Sequence, residues 1–336
     1  MPTEAGRYVE VCAGAGGLGL GLHRAGWRGT GIEWDADAAE THRRHVGPCI
    51  TADITTEPTP HGADLVCGGV PCQSFSIAGG HGGLDDPRGQ LFRALLRHAA
   101  GAGARCVVLE NVRGLISCGA LPVILAAFRA AGYEPVHALL NACDYGVPQN
   151  RVRLWIAGFR DAADIARFRW PRPTHGAPGN LWGLPPWRTV REALGLASDD
   201  AVSRLDRPSP CVTAAEQKSC NAFGSRGAFT SPRRAGDLLN PLLSRLDRPA
   251  PTITIEHHEP IAGQATRKAL EADLGAARES RRLTVRDCAR LQSFPDEVEF
   301  CGTATSQFRQ VGNAIAPLMG EAIARSVWAA LYGGGL

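Results

Sequence analysis

Lysine is nearly missing from this chain. Of 36 basic residues, only Lys218 and Lys268 are lysine. Arginine suits bidentate contacts to phosphate and guanine. A GC-rich genome gives the same bias, however, and the 40 glycines and abundant alanine fit that origin. A net charge of +3 over 336 residues is weak support for a polyanionic partner. No apolar run approaches the ~20 residues of a membrane span. Met1-Pro2-Thr3-Glu4 opens no signal peptide. A cytoplasmic protein without membrane attachment is expected. Eleven cysteines are present, but no Cys-x-x-Cys pair or Cys/His cluster has zinc spacing. Most read as small buried hydrophobes in a reducing compartment, and no metal is expected.

What the chain does have is 44% hydrophobic and 21% charged residues, at a length that allows more than one domain. One stretch organises the rest: Val70-Pro71-Cys72-Gln73-Ser74-Phe75-Ser76. It follows an apolar strand, Ala63 to Cys67, ended by Gly68 and Gly69. Gly79, Gly80, Gly82 and Gly83 come next. A cysteine fixed by a proline on one side and followed by glycines suits a nucleophile under a movable loop. Taken alone, Cys72 reads better as a cysteine in a turn than as a nucleophile.

In chain order, Tyr8 to Cys12 reads as a strand, Ala13-Gly14-Ala15-Gly16-Gly17 as a turn, and Leu18 to Ala25 as a helix. Such a turn lets backbone N–H groups approach a nucleotide-like ligand at a helix N-terminus. The next strand, Gly29 to Ile32, ends in Glu33-Trp34, about 20 residues on, where an acid holds ribose hydroxyls and an aromatic covers a base. Asp53 ends a third short segment and can accept from an adenine amino group or cap a loop. The strand Cys106 to Leu109 delivers Glu110-Asn111-Val112 to the edge where open α/β sheets bind ligands. Leu91–Ala100 and Leu121–Ala131 read as helices, Val136–Leu140 and Leu154–Phe159 as strands. Arg151 and Arg153, two apart at a strand start, share a face.

Beyond Phe159 prolines and tryptophans crowd together, and few amphipathic segments follow until about Arg281. An internal repeat, Ser203–Thr213 against Ser244–Thr254, suggests two similar basic turns, with Arg226, Arg233 and Arg234 between them. Arg, Asn, Gln and Ser/Thr are the residue types that read base edges. Regular pattern returns at Arg282–Pro295, with Thr284 as a helix cap. An apolar helix from Leu318 to Leu331 closes the chain and is expected to complete the first core. Three segments follow: 1–165 as a catalytic domain, 166–281 as an inserted domain, and 282–336 as a return to the first.

These pieces, in this order, strongly resemble the C5-cytosine DNA methyltransferases. The resemblance implies a Rossmann-like S-adenosylmethionine-dependent methyltransferase sheet with an inserted, irregular target-recognition domain. It implies that S-adenosyl-L-methionine is held by Cys12, Ala13, Gly14, Gly16, Gly17, Leu18, Glu33, Trp34, Asp53, Ile54, Pro71, Asn313 and Ala314. Cys72 would be the nucleophile, with Glu110 and Arg153 on the target cytosine and Gln73 and Arg151 completing the catalytic set. Ser76, Gly79, Arg88, Asn111, Arg226 and Arg233 would contact DNA. Double-stranded DNA is the implied substrate, a restriction endonuclease the implied companion, and a monomer the expected state. Two departures stand out. Glu10 and Cys12 occupy the family's Asp-x-Phe positions, and Gly80-His81-Gly82-Gly83-Leu84 lacks the usual basic residues. Alternatives are a tRNA cytosine methyltransferase and a non-catalytic DNA-binding regulator on the same scaffold. A dinucleotide oxidoreductase leaves Pro71-Cys72-Gln73 without a role.

Overall fold

The computed structural model describes residues 5–71, 90–195, 208–209 and 283–333. Seven strands form one sheet: β1 (Arg7–Val11), β2 (Arg28–Glu33), β3 (Cys49–Thr51), β4 (Leu65–Gly68), β5 (Cys106–Val112), β6 (Glu134–Asn141) and β7 (Val152–Phe159). Their order is β3-β2-β1-β4-β5-β7-β6. The first five are parallel, and β7 runs antiparallel to both its neighbours. β1, β4 and β5 are near-continuous apolar runs because helices cover both faces.

The period-2 alternation of strands divides the core. Val9, Val11, Val66, Val107, Leu109 and Ile156 face α3 (Gln90–Ala102) and α5 (Leu121–Ala130), through Phe92, Leu95, Ile124 and Phe128. Tyr8, Cys67, Cys106, Val108, Trp155 and Ala157 face α1 (Gly17–Arg24) and the last helix, through Leu18, Leu22, Ile323 and Val327. The remaining helices among the described residues are α2 (Ala36–His45), α4 (Gly114–Ser117), α6 (Ala162–Arg167), α7 (Val190–Leu194), α8 (Val285–Leu291), α9 (Ala304–Asn313) and α10 (Pro317–Tyr332). A third cluster joins Val190 and Leu194 of α7 to Leu283, Leu291, Phe294 and Val311. By length and composition the stretch 304–332 could cross a membrane, but α10 lies in the core against α1.

Two features differ from the sequence reading. β5 runs on to Val112, so Glu110 and Asn111 lie inside the strand, paired with Trp155 and Leu154. The antiparallel β7 supplies the ladder that extends it. Helix α9 was not expected from its polar composition. Thr303 caps it, accepting from the Ser306 N–H at 3.3 Å. The Thr284 cap of α8 is a full capping box, with Asp287 Oδ2 accepting from the Thr284 N–H at 2.7 Å. Most of the internal repeat and of segment 166–281 lies outside the described residues.

Candidate active site

One cavity of about 620 Å³ opens along the C-terminal edge of the parallel strands. That is the size of a small-ligand site. At one end it is lined by Cys12, Ala13, Gly14, Leu18, Glu33, Trp34, Asp53 and Ile54. Gly14 takes φ +55, and its N–H donates to Glu33 Oε2 at 2.8 Å. Glu33 Oε1 accepts from the Asp35 N–H at 2.9 Å. Burial pushes the Glu33 carboxyl above the usual carboxylate range, opposed by those two N–H groups. Trp34 is 80% exposed, an open aromatic face at the cavity mouth. Asp53 Oδ1 accepts from Thr55 N and Oγ1, both at 2.8 Å, so the loop-cap reading holds for that oxygen. The Ile54 carbonyl is fixed by His98 Nε2 at 2.9 Å and by Arg97.

Gly16 and Gly17, grouped with the cofactor residues in the sequence, are not among the lining residues. A Cβ on Gly16 would meet Val46 at 2.4 Å, and one on Gly17 would meet the Ile315 carbonyl oxygen at 2.0 Å. Their smallness lets α1 pack against α2 and the segment before α10. Cys12 takes φ +50 and lines the cavity. Desolvation drives its thiol far above the ordinary range, so it stays neutral. Glu10 reaches the same cavity from beneath, 3.6 Å from the imidazole of His42.

At the other end lie Gly69, Val70, Pro71, Glu110, Asn111, Arg151 and Arg153. Arg153 Nε stands 3.0 Å from Glu110 Oε1, with both side chains about a tenth exposed. The solvated-acid and solvated-edge alternatives for these residues do not apply. Arg151 turns elsewhere: its guanidinium donates to the carbonyls of Gly312 at 3.4 Å and Ala314 at 3.2 Å. Asn111 is 7% exposed. Its Nδ2 donates to the Val70 carbonyl at 2.9 Å, and its Oδ1 accepts from the Val112 N–H at 2.7 Å. Asn111 thereby holds the backbone that leads into Pro71 and Cys72. Gly69 permits close approach, since a Cβ there would lie 3.2 Å from Glu110 Oε2. The third wall is Arg309, Gln310, Gly312, Asn313, Ala314 and Ile315.

Cys72, Gln73, Ser76, Gly79, Arg88, Arg226 and Arg233 lie outside the described residues, as does the His81 loop. The sequence reading missed Asp35 and Arg309, an ion pair that joins α2 to α9 at the cavity wall. Asp35 carried a signal, being an N-cap that accepts from the Ala38 N–H at 3.0 Å. Nothing local marked Arg309.

A cavity shared by a strand–glycine–helix turn and a buried Glu–Arg pair, on this strand order, defines an S-adenosylmethionine-dependent methyltransferase fold. The chain belongs to the C-5 cytosine-specific DNA methylase family, whose model matches residues 6–329. It is 31% identical over 338 residues to the type II methyltransferase M.NgoFVII of Neisseria gonorrhoeae, covering 96% of this chain and 86% of that protein. It is 33% identical over 327 residues to the type II methyltransferase M.AplI of Arthrospira platensis, covering 95% and 84%. A crystal structure of a Spodoptera frugiperda DNMT2 variant shares the fold, with TM-score 0.62, 15% identity, and coverage of 96% of this chain and 100% of that one. The S. pombe Dnmt2 methyltransferase gives 0.58 at 17% identity, covering 97% and 99%.

Proposed function

We propose that this methyltransferase modifies C5 of a cytosine flipped out of duplex DNA, in the cytoplasm, as the modification arm of a type II restriction-modification system. The observation that supports this is that one cavity is lined both by the residues read as holding a nucleoside-type cofactor and by the Glu110–Arg153 pair. A donor and a base held there would be neighbours.

The residues fit S-adenosyl-L-methionine. The Gly14 turn lets backbone approach the ligand, Glu33 retains acceptor capacity for ribose hydroxyls, and Trp34 offers its open face to the adenine. Asp53 Oδ2 is left for an exocyclic amine, since Thr55 occupies Oδ1. Ala13, Leu18, Asn313 and Ala314 complete the walls. When bound, the cofactor supplies an electrophilic methyl group.

Cytosine C5 is a poor nucleophile because the ring is aromatic. Attack of the Cys72 thiolate on C6 forms an S–C6 bond and moves the ring electrons toward C5 and N3. A free thiol of pKa ~8.5 is only slightly ionised at neutral pH, so nearby positive charge helps. Glu110 accepts from the exocyclic amine and, once it has taken up a proton, donates it to N3 as the ring gains electrons, while Arg153 donates to O2. Their mutual ion pair fixes both side chains before the base arrives. After methylation a base removes the C5 proton, the C5–C6 double bond re-forms, and the thiolate leaves. Flipping the cytosine costs a few kcal/mol, supplied by contacts of segment 166–281 and the loop after Cys72 with DNA.

Sequencing 5-methylcytosine in DNA from cells that express the wild type or Cys72→Ser tests the reading. The wild type should mark cytosines in one sequence context. Cys72→Ser should mark none, yet still bind cofactor by calorimetry. Methylated tRNA with unmethylated DNA would refute the assignment.

A further inference from the structure

The buried stripe of α3 runs through Leu95, His98, Ala99 and Ala102, the spacing of one helix face. Three of these are apolar, and the fourth is an imidazole with 0% exposure. A buried polar ring is destabilising unless it is hydrogen-bonded. His98 is satisfied at one atom only. Its Nε2 lies 2.9 Å from the Ile54 carbonyl, whereas its Nδ1 is buried with no partner among the described residues. A carbonyl can only accept, so Nε2 carries the proton. Burial lowers the His98 pKa, which keeps the ring neutral, with that single donor. The neighbouring Arg97, on the exposed side of α3, reaches back to the same carbonyl and to the Glu57 carbonyl at 3.3 Å.

What these two donors grip is the loop after β3. At its start the Ala52 N–H donates to the Glu33 carbonyl at 3.0 Å, which ties the loop to β2. From there the chain turns on itself. The Asp53 carbonyl accepts from the N–H groups of Thr56 at 3.1 Å and Glu57 at 2.9 Å, and Thr55 holds Asp53 Oδ1. Those bonds all lie within residues 53–57, so they stiffen the turn without fixing where it sits. Its seat comes from α3. Besides Arg97 and His98, Gly101 lets Thr59 approach closely, since a Cβ there would lie 2.9 Å from Thr59 Oγ1. Asp53 and Ile54 both line the cavity, so a displaced Ile54 carries the Asp53 carboxylate with it.

We infer that Arg97 and His98 are positioning residues that set the choice of purine in the cofactor cavity. By pinning the Ile54 carbonyl they aim Asp53 Oδ2 at the exocyclic amine of adenine, so that a purine without that amine binds less tightly. The inference rests on the reading of Asp53 as the partner of that amine. A carbonyl has two lone pairs, and here each has its own donor from α3. A hydrogen bond weakens steeply as its angle departs from straight. The contact of an aromatic face with the flat ring tolerates a small shift. A turn released from α3 therefore loses the amine before it loses the ring, and selectivity falls further than affinity.

The test is calorimetric titration of the full chain with two ligands, S-adenosyl-L-homocysteine and its 6-deamino analogue, in which hydrogen replaces the amine. The wild type should bind the first about tenfold more tightly. His98→Leu keeps an apolar side chain in the buried stripe and removes the donor. Arg97→Met keeps the stem of an exposed side chain and removes its donors. Each should lower the preference by about threefold or more. His98→Gln returns an N–H donor at the reach of Nε2 and should restore it. Asp53→Ala should abolish it with α3 intact. A clamp that serves the fold alone would lower the melting temperature and weaken both ligands together, leaving their ratio as in the wild type. That result, in His98→Leu and Arg97→Met, overturns the inference alone. A wild type with no preference, or a preference that survives Asp53→Ala, overturns the reading of Asp53 and the inference with it. No binding of either ligand overturns the cofactor reading as well.

Discussion

Glu10 is 2% exposed beneath the glycine turn, with its Oε2 facing His42 Nε2 at 3.6 Å. Desolvation raises its carboxyl above the ordinary value, and the nearby His42 imidazole opposes that rise only in part. A raised folded-state pKa means that the native protein keeps this proton to a higher pH than the unfolded chain does. Its contribution is most favourable below the ordinary value of 4.5 and declines as pH climbs through the raised one. Glu10→Gln is isosteric and neutral at every pH, so it escapes that decline. The melting temperature of the variant relative to wild type should therefore rise as pH climbs from 4.5 upward. Thermal denaturation across that range checks it, and parallel curves would show that Glu10 does not titrate there.

The glycine turn and α1 show how one sequence element serves two purposes. The chemistry of glycine marks the whole run alike, and the sequence reading assigned Gly14, Gly16 and Gly17 alike to the cofactor. Packing separates them, because the neighbours that need the space lie far along the chain. A Cβ at Gly14 would meet nothing within 4 Å, so Gly14→Ala carries only the cost of its φ of +55, about 1 kcal/mol. That variant should stay folded and lose cofactor affinity. A Cβ at Gly17 would press on the Ile315 carbonyl at 2.0 Å, a backbone atom fixed by the start of α10. Gly17→Ala should cost about 3 kcal/mol and lower the melting temperature of the whole protein. Equal melting temperatures for the two variants would contradict this division.

On the scale of the molecule, what could be read beforehand was local. Strands β1, β4 and β5 announce themselves as short apolar runs closed by glycines or acids, and β2 as a short segment that ends in an acid. Those acids, Glu33 and Glu110, do line the cavity. What could not be read depends on partners distant in sequence. The insertion of β7 between β5 and β6 has no local periodicity to reveal it. Asp35 and Arg309 meet across 274 positions, and Gln149 and Gln292 across 143. A glutamine just past a helix looks like a surface residue until the carbonyls of another helix end surround it.

The same long-range closure makes the C-terminal segment part of the first core rather than an appendage. Met319, Ile323, Val327, Trp328 and Leu331 of α10 are all buried against the sheet face that carries Tyr8 and Trp155. Trp27 donates from Nε1 to the Ala324 carbonyl at 3.2 Å and meets the Trp328 ring edge-on at 5.3 Å between centroids. Burying a large apolar side chain contributes about 1.5–3 kcal/mol, so these five together contribute roughly 7–15 kcal/mol. A whole domain is typically stable by about 5–15 kcal/mol. A chain ending at Asn313 therefore loses as much as it has to lose, although it keeps every strand and every residue of the Glu110–Arg153 pair. We expect it to be insoluble or to melt without a cooperative transition. The check is circular dichroism of that truncated chain on heating beside the full protein. A sharp transition in the truncated chain would mean that the sheet and α1 fold without α10, and that the apolar face they share with it is not needed to hold the cofactor turn in place.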